Sequence, residues 1–586
     1  MSFRRLTHSI ALLSCVLFVP AQAGETKRPN VVILLTDDNG YGDLSCHGNP
    51  VLKTPNFDRL HAQSVRLTDF HVAPICTPTR GQLLTGKDAL HNGATSVSAG
   101  RSFIRRGIPS MAELFAAAGY RTAMFGKWHL GDSFPNLPND RGFQEAVYHL
   151  GWGITSMADL WQNDYFDGRF RHNGTLTQYR GYCTDVWFDL AMSWVGESQK
   201  KNKPFFLYLP TNAAHGPHWV PERYKTPYKG RGPAAFLGMM ANLDENLGRF
   251  EEFLEFKGLK ENTIFIYLND NGATAGAQVY NAGMRGRKTQ YYEGGHRAAC
   301  FVRWPAGDLR KPSDLDALTE VQDLLPTLID LAKLPSPGPS AFDGVSLADL
   351  LRGTTETLTD RILVVQYGQK PAKWDCAVLS KKWRLVHGEE LYDLSNDPGQ
   401  TKDVARQHPE VVARLREHYE HWWADTAPEL DNFTPIVLGS DREDPVTLSA
   451  ADWANVYCDN MNDLRTGKPS NGPWHVLPVA EGTYTIELRR WPKEADAAIA
   501  AGVPAFSAVD GKLQTGKALP IARARLKIGD MDETRPVPPD AKAITFTVNL
   551  KSDIKLPMQS WFYDENGGEI CGAYFAYVSR ESPESR

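Results

Sequence analysis

Four short apolar runs in this sequence each end on residues able to do chemistry. Val31-Val32-Ile33-Leu34-Leu35 leads into Thr36-Asp37-Asp38, and Thr122-Ala123-Met124-Phe125 into Gly126-Lys127-Trp128-His129. Phe205-Phe206-Leu207-Tyr208-Leu209 leads towards His215, and Ile264-Phe265-Ile266-Tyr267-Leu268 into Asn269-Asp270-Asn271. Carboxylates gathered at one strand edge repel one another strongly in a partly dry site. A hard divalent cation removes that penalty, and carboxylate plus amide oxygens suit calcium or magnesium better than zinc. Either pair alone also fits a turn or a helix cap, where Asp and Asn are common. Two such pairs, each ending a buried-type run, favour the metal. A further stretch, Cys76-Thr77-Pro78-Thr79-Arg80-Gly81, puts Pro78 in a first helical turn, so Cys76 falls at or just before a helix N-terminus. Free backbone N–H groups and the helix dipole favour an anion there. A cysteine in this place serves as a thiolate nucleophile or as a buried structural residue, and spacing does not choose between them.

The elements that must position these residues follow from the same runs. Segments apolar at every position suit strands covered on both faces, as in a parallel sheet between helices. Open α/β sheets bind ligands outside the carboxyl ends of their strands, so the four strands deliver Asp, Lys, His and Asn side chains to one edge. Between them, Ser110-Met111-Ala112-Glu113 is a capping box opening a helix over Met111 to Ala118, stopped by Gly119. A second helix is expected from Phe236 to Phe256. From Asp360 to about Ala427, short strands precede one helix, Pro409 to Trp423. After about Pro428, stretches such as Gly482-Thr483-Tyr484-Thr485-Ile486-Glu487-Leu488, Ala543 to Val548 and Ala573 to Tyr577 alternate with period two between Pro- and Gly-rich turns. The expected fold is α/β: a large mixed, mostly parallel sheet sandwiched by helices, a smaller α+β subdomain and an extra β-rich tail module. The divisions fall at residues 24–355, 356–427 and 428–586. The tail reads as a packing appendage, or as a glycan-binding module carried by Trp453, Trp474, Trp491 and Trp561, although aromatic residues are more often core.

Bulk properties limit the alternatives. A chain of 586 residues exceeds one ordinary core. Its formal charge of -5 leaves no electrostatic footprint for nucleic acid or an anionic membrane surface. Arg4 and Arg5, the apolar stretch Ile10 to Val19 and Ala21-Gln22-Ala23 form a signal peptide over residues 1–23, too short to span a bilayer. A lipoprotein reading through Cys15 is a poor match to Leu12-Leu13-Ser14. Export to the periplasm or beyond is expected, with no membrane span. The eight cysteines lack metal-ligand spacing. Setting aside Cys15 and Cys76 leaves an even number that could pair outside the cytoplasm, with no pairing assigned.

The Cys76 run also resembles a known signature. Cys76, Pro78 and Arg80, continued by Leu83-Leu84-Thr85-Gly86, are similar to the motif of type I sulfatases of the alkaline phosphatase superfamily. Gly126-Lys127-Trp128-His129-Leu130-Gly131, Met284-Arg285-Gly286, Glu293-Gly294-Gly295-His296-Arg297 and Leu391-Tyr392-Asp393-Leu394 with Asp397-Pro398 extend the resemblance over roughly Pro29 to Ala427. The resemblance implies that a separate formylglycine-generating maturation enzyme oxidises Cys76 to formylglycine (3-oxoalanine). It implies one calcium ion held by Asp37, Asp38, Asp270 and Asn271, with the modified Cys76 completing the shell. Arg80 matches the residue that holds the formylglycine, Lys127 and Lys288 the lysines that grip sulfate, and His129 and His215 the catalytic histidines. His215 is preferred to His218 because Gly216-Pro217 follows it. On this reading a hydroxyl of the aldehyde hydrate attacks sulfur and the second hydroxyl then expels sulfate, with His215 as acid for the leaving alcohol and His129 as base for release. The implied substrate is a sulfated polysaccharide, its fragments, or an aryl sulfate, chosen by loops such as Gly151 to Gly181. The alternatives are a formylglycine-dependent phosphonate or phosphodiester hydrolase, an inactive protein that binds sulfated glycans, and a metal-free cysteine hydrolase.

Overall fold

The computed structural model describes residues 28–581; the signal segment expected over 1–23 lies outside them. Ten strands form the main sheet: β1 (Asn30–Thr36), β2 (Val65–His71), β3 (Arg121–Lys127), β4 (Glu145–His149), β5 (Arg169–His172), β6 (Thr175–Gln178), β7 (Phe205–Pro210), β8 (Thr263–Asn269), β9 (Cys300–Arg303) and β10 (Asp314–Glu320). Their order is β10-β2-β9-β8-β1-β7-β3-β4-β5-β6. The central run β8-β1-β7-β3-β4 is parallel throughout, so the four strands read from apolar runs end at one edge. Antiparallel pairing enters where β9 sits between β2 and β8, and at the β5–β6 margin.

Alternate residues of each central strand serve opposite faces, as the pleat requires. Val31, Ile33 and Leu35 join Phe206, Tyr208, Ile264 and Ile266 in one core, whereas Val32 and Leu34 join Leu207, Leu209, Phe265 and Tyr267 in the other. Each such side chain contributes about 1.5–3 kcal/mol over exposure. The helices that cover the sheet include α1 (Cys76–Thr85), α2 (Met111–Ala117), α3 (Cys183–Lys200), α4 (Ala234–Phe256) and α5 (Leu324–Ala332). The α2 capping box is formed: Ser110 Oγ accepts from Glu113 N (3.2 Å) and Ser110 N donates to Glu113 Oε2 (2.5 Å).

A second, antiparallel sheet comprises β11 (Leu363–Gln366), β12 (Cys376–Leu379), β13 (Trp383–Val386) and β14 (Glu390–Asp393). Helix α6 (Pro409–Thr426) seats Leu415 and Tyr419 on Cys376, Val378, Leu385 and Leu391. Buried Arg384 on β13 donates to Glu293 (2.7 Å) and Asp69 (2.8 Å), which fastens this sheet to the large one.

The tail forms a six-stranded and a four-stranded sheet around a common core, with a short two-stranded hairpin beside them. Along Gly482–Arg489, Tyr484, Ile486 and Leu488 turn inward, as the period-two pattern predicts. Trp453, Trp474 and Trp491 are fully buried in that core, and the Trp474 indole donates to Ser449 O (2.7 Å). These three are packing residues, not a glycan platform. Trp561 lies under the Arg525 guanidinium, 4.7 Å from the ring centre. The tail core also takes in Phe103, Met157 and Trp161, so it is continuous with the large-sheet part. The seven described cysteines are all unpaired, so no disulfide forms among the described residues. No helix among the described residues is long and apolar enough to cross a membrane.

The seam between tail and sheet buries several carboxyl groups. Burial and the neighbouring Asp132 hold Asp452 well above the usual range. Burial pushes Asp132 up to about 6 and Glu443 to about 7. Raised acid pKa values mean that the folded state holds extra protons, so this stabilisation is full below the unfolded value and fades as pH rises. Asp452→Asn removes the charge that must be buried. Its melting temperature relative to the parent protein should therefore be more favourable at pH 8 than at pH 5; a difference independent of pH would contradict this account of the seam.

Candidate active site

Backbone hydrogen bonds between neighbouring strand ends place the chemistry. Thr36 is in register with Asn269, Asp270 N donates to Thr36 O (3.0 Å), and Asp37 N donates to Ala213 O (2.9 Å). The two acidic pairs thus lie side by side, and the loop carrying His215 crosses above them. Lys127 closes β3, and Gly126 is what lets β3 approach β7: a Cβ there would lie 2.0 Å from Pro210 O, at φ 132°. Asp38 (φ 61°) and His129 (φ 60°) both occupy the left-handed region. Such backbone costs about 1–2 kcal/mol per non-glycine residue, and the surrounding structure sustains it at functional sites.

Cys76 opens α1, all ten residues of which are buried. Its Sγ donates to Asp37 Oδ1 (3.6 Å) and accepts from Asn271 Nδ2 (3.6 Å) and Lys288 Nζ (3.5 Å). Burial, with Asp37 adding to it, pushes the thiol up to about 12. One turn on, Arg80 donates through Nε (3.2 Å) and Nη2 (2.8 Å) to Asp270 Oδ2, through Nη2 to Asp37 Oδ2 (3.4 Å) and through Nη1 to Lys127 O (3.0 Å). Lys127 pairs with Asp37, and Lys288 with Asp38. Burial disfavours the Asp37 anion, but Lys127, His215, Arg80 and Lys288 outweigh it and hold the carboxyl far below its ordinary range. Burial and the Asp37 charge instead push Asp270 up to about 6.

The two histidines beside this cluster differ in exposure, His215 being part-exposed and His129 buried. His215 has Nε2 3.5 Å from Asp38 Oδ2 and Nδ1 2.6 Å from Gly216 O, with Trp152 against its ring at 5.2 Å. Burial lowers its pKa to about 4. His218 instead meets the Phe236 ring edge-on. Buried His129 has Nε2 3.0 Å from Val97 O; burial, Lys127 and Arg80 hold it well below its ordinary value. Every site residue read from the sequence is therefore brought to one sheet edge. A cavity of about 1020 Å³ opens over Cys76, His215 and Lys288. Its walls include Trp152, from the loop Gly151 to Gly181 expected to choose the substrate, and Tyr367, Lys370, Tyr457 and Lys512, which belong to no motif and which sequence reasoning missed.

The donor set suits a hard divalent ion. Asp37, Asp38 and Asp270 supply carboxylate oxygens, and the buried Asn271 Oδ1 accepts no hydrogen bond. Ligand atoms of Asp37, Asp38, Cys76 and His215 lie within 4.8 Å of one another. Oxygen donors of this kind match calcium or magnesium.

Fold and charge pattern together define a mixed-sheet α/β protein with a cation-lined site for an anionic ligand at the carboxyl edge of its parallel strands. The chain belongs to the sulfatase family of the alkaline phosphatase superfamily: the model of the family described as Sulfatase matches residues 29–334. A second, described as N-sulphoglucosamine sulphohydrolase, C-terminal, matches residues 287–424. N-acetylgalactosamine-6-sulfatase of Mus musculus is 30% identical over 426 residues, covering 66% of this chain and 80% of that one. Arylsulfatase A of Homo sapiens is 29% identical over 468 residues, covering 69% and 89%. A solved structure from work on glycosaminoglycan metabolism by Bacteroides thetaiotaomicron aligns with a TM-score of 0.57 and 27% identity over 68% of this chain and 99% of that one. The chain is a sulfuric ester hydrolase. Both matched ranges stop before the β-rich tail.

Proposed function

We propose that the chain releases inorganic sulfate from a sulfated saccharide or aryl sulfate, with residue 76 as nucleophile after oxidation to formylglycine and with one calcium ion held by Asp37, Asp38, Asp270 and Asn271. The observation that carries this reading is the placement of Cys76: at a helix N-terminus, facing the cavity, with Asp37, Asn271 and Lys288 around its Sγ. A thiol held near 12 has almost no thiolate at neutral pH, which argues against a metal-free cysteine hydrolase. When bound, the ion supplies Lewis-acid stabilisation of negative charge on the sulfuryl oxygens and the nucleophile.

The protein's own groups divide the remaining work. Three carboxylates (Asp37, Asp38, Asp270) face three permanent cations (Arg80, Lys127, Lys288), so the walls are balanced before a divalent ion arrives. With the ion present the site carries surplus positive charge, which suits a sulfate ester monoanion. Lys127 and Lys288 grip its oxygens, and Arg80 fixes the carboxylates and the position of residue 76. His215, nearest the open side, donates a proton to the leaving alcohol. Its depressed pKa means that it gains this proton at acid pH, or when a bound anion raises its proton affinity. Buried His129, whose backbone O accepts from Thr77 Oγ1 (3.0 Å), accepts the proton in the release step. The likeness to the N-acetylgalactosamine-6-sulfatase of Mus musculus and the glycosaminoglycan setting of the Bacteroides structure support a sulfated sugar as substrate.

The test compares matured enzyme on 4-nitrocatechol sulfate and on an aryl phosphonate monoester. Sulfate release should exceed phosphonate turnover by about 100-fold or more, and a calcium chelator should remove it, because preorganised electrostatics carry most of such a rate. A preference for the phosphonate would overturn the substrate assignment.

A further inference from the structure

The cavity over residue 76 is larger than one sulfated ring requires. At about 1020 Å³ it sits at the top of the range of about 300–1,000 Å³ for pockets that enclose a small molecule. Much of its outer wall comes from the β-rich tail, which supplies Asn455, Tyr457, Asn460, Asn462 and Lys512.

Two tail segments are locked to the catalytic part beside the His215 loop. In the first, Tyr457 stands 41% exposed between the buried stretch Ala450–Ala454 and buried Cys458 and Asp459. Asp459 O accepts from the Trp152 indole (3.0 Å) and from Met157 N (3.2 Å), and Met461 N donates to Thr155 O (3.0 Å). The second is the hairpin pairing Phe506–Ser507 with Lys512–Leu513. Asp510 accepts from Val220 N (2.9 Å) and Lys225 Nζ (2.5 Å), and Val509 N donates to Asp164 Oδ2 (2.7 Å). Gly511 is pressed on Trp219 so closely that a Cβ would lie 2.0 Å from its indole nitrogen.

The first anchor presents Tyr457 and the second Lys512, while Lys370, from the loop after β11, lines the same cavity. Lys512 and Lys370 are exposed, line the cavity, and among the described residues pair with no carboxylate. Lys288, by contrast, is paired with Asp38. The Tyr457 ring, with Lys468 5.4 Å from its centre, also lines the cavity. Aromatic rings with a polar tip suit surfaces apolar on one side and wet on the other, as a sugar face requires.

We propose that the tail module completes the cleft as a leaving-group subsite, in which Tyr457 packs against the sugar next to the scissile ester and Lys512 with Lys370 holds a second anionic group, a carboxylate or another sulfate ester, on that saccharide. The proposal rests on the sulfatase reading above and names the substrate as a polyanionic oligosaccharide.

The test uses full-length matured enzyme with 4-nitrocatechol sulfate and a panel of di- and trisaccharides from chondroitin sulfate, heparan sulfate and carrageenan. Panel members carrying a carboxylate are compared with those carrying a second sulfate, which separates the two anions. The parent enzyme should prefer at least one oligosaccharide. Tyr457→Ala and Lys512→Ala should each lower the ratio of oligosaccharide to aryl sulfate kcat/KM about tenfold or more, chiefly through KM, with Lys512→Arg restoring most of it. Melting curves check that these surface changes leave the fold intact. A ratio within twofold of the parent, or no preference for any oligosaccharide, overturns the subsite. Titration of the same panel into Cys76→Ala protein reads the subsite without turnover: Tyr457→Ala in that background should weaken binding about tenfold, and equal binding overturns the proposal. Absence of sulfate release from every probe by the parent enzyme would instead sink the sulfatase reading.

Discussion

Cys76→Ala is expected to lower kcat for sulfate release by about 10⁴-fold or more while leaving the fold in place, since loss of a covalent nucleophile removes the step on which the other groups act. The side chain is fully buried at the start of α1, so truncation leaves a small void. A void of that size costs on the order of 1 kcal/mol, a shift of a few degrees at most in melting temperature. Activity and stability are thus separable at this position. Asp37, Asn271 and Lys288 keep their other partners: Lys127, Asp270 and Asp38. Near-normal turnover by the alanine variant would remove residue 76 from the mechanism.

Arg80→Met is expected to damage both properties at once. The guanidinium is fully buried and is shared by Asp37 and Asp270, with a further hydrogen bond to Lys127 O. Removing one partner of a buried ion pair costs about 3–5 kcal/mol, because the remaining charge is left without compensation. Sulfate release should fall by about 10³-fold, as the carboxylates and residue 76 lose their common anchor. Added calcium should restore part of the stability, since a divalent ion supplies charge to the same carboxylates. Arg80→Lys keeps one charge but loses the planar fork, and should fall between parent and methionine variant. A melting temperature equal to the parent, in calcium-free buffer, would contradict the closed charge set.

The site was more legible in the sequence than its walls. Val31–Leu35 and Ile264–Leu268 are apolar at every position because both faces of β1 and β8 are covered, and that forces Asp37 and Asp270 to the same edge. Pro78 located the start of α1 within a residue. The antiparallel insertion of β9 was not legible: Cys300–Arg303 is only four residues long, and its pairing depends on chain returning from a distant loop. Composition does not tell a core indole from an exposed one, which left both roles open for the tail tryptophans; Trp453, Trp474 and Trp491 take the commoner one and fill the core between two sheets. Tyr457 reaches the cavity from a loop of the tail and Lys512 from its short hairpin, both far in sequence from Cys76, and no periodicity or spacing connects them. The even number of remaining cysteines likewise carried no geometry, and the described thiols stay unpaired.

The central claim is that residue 76 works as an oxygen nucleophile made from a thiol. Mass spectrometry of the proteolytic peptide containing residue 76, taken from active protein co-produced with a formylglycine-generating enzyme, tests it most directly. The account predicts an aldehyde or its hydrate in place of the thiol, in a fraction that rises in proportion to specific activity. An unaltered cysteine in fully active protein would contradict it.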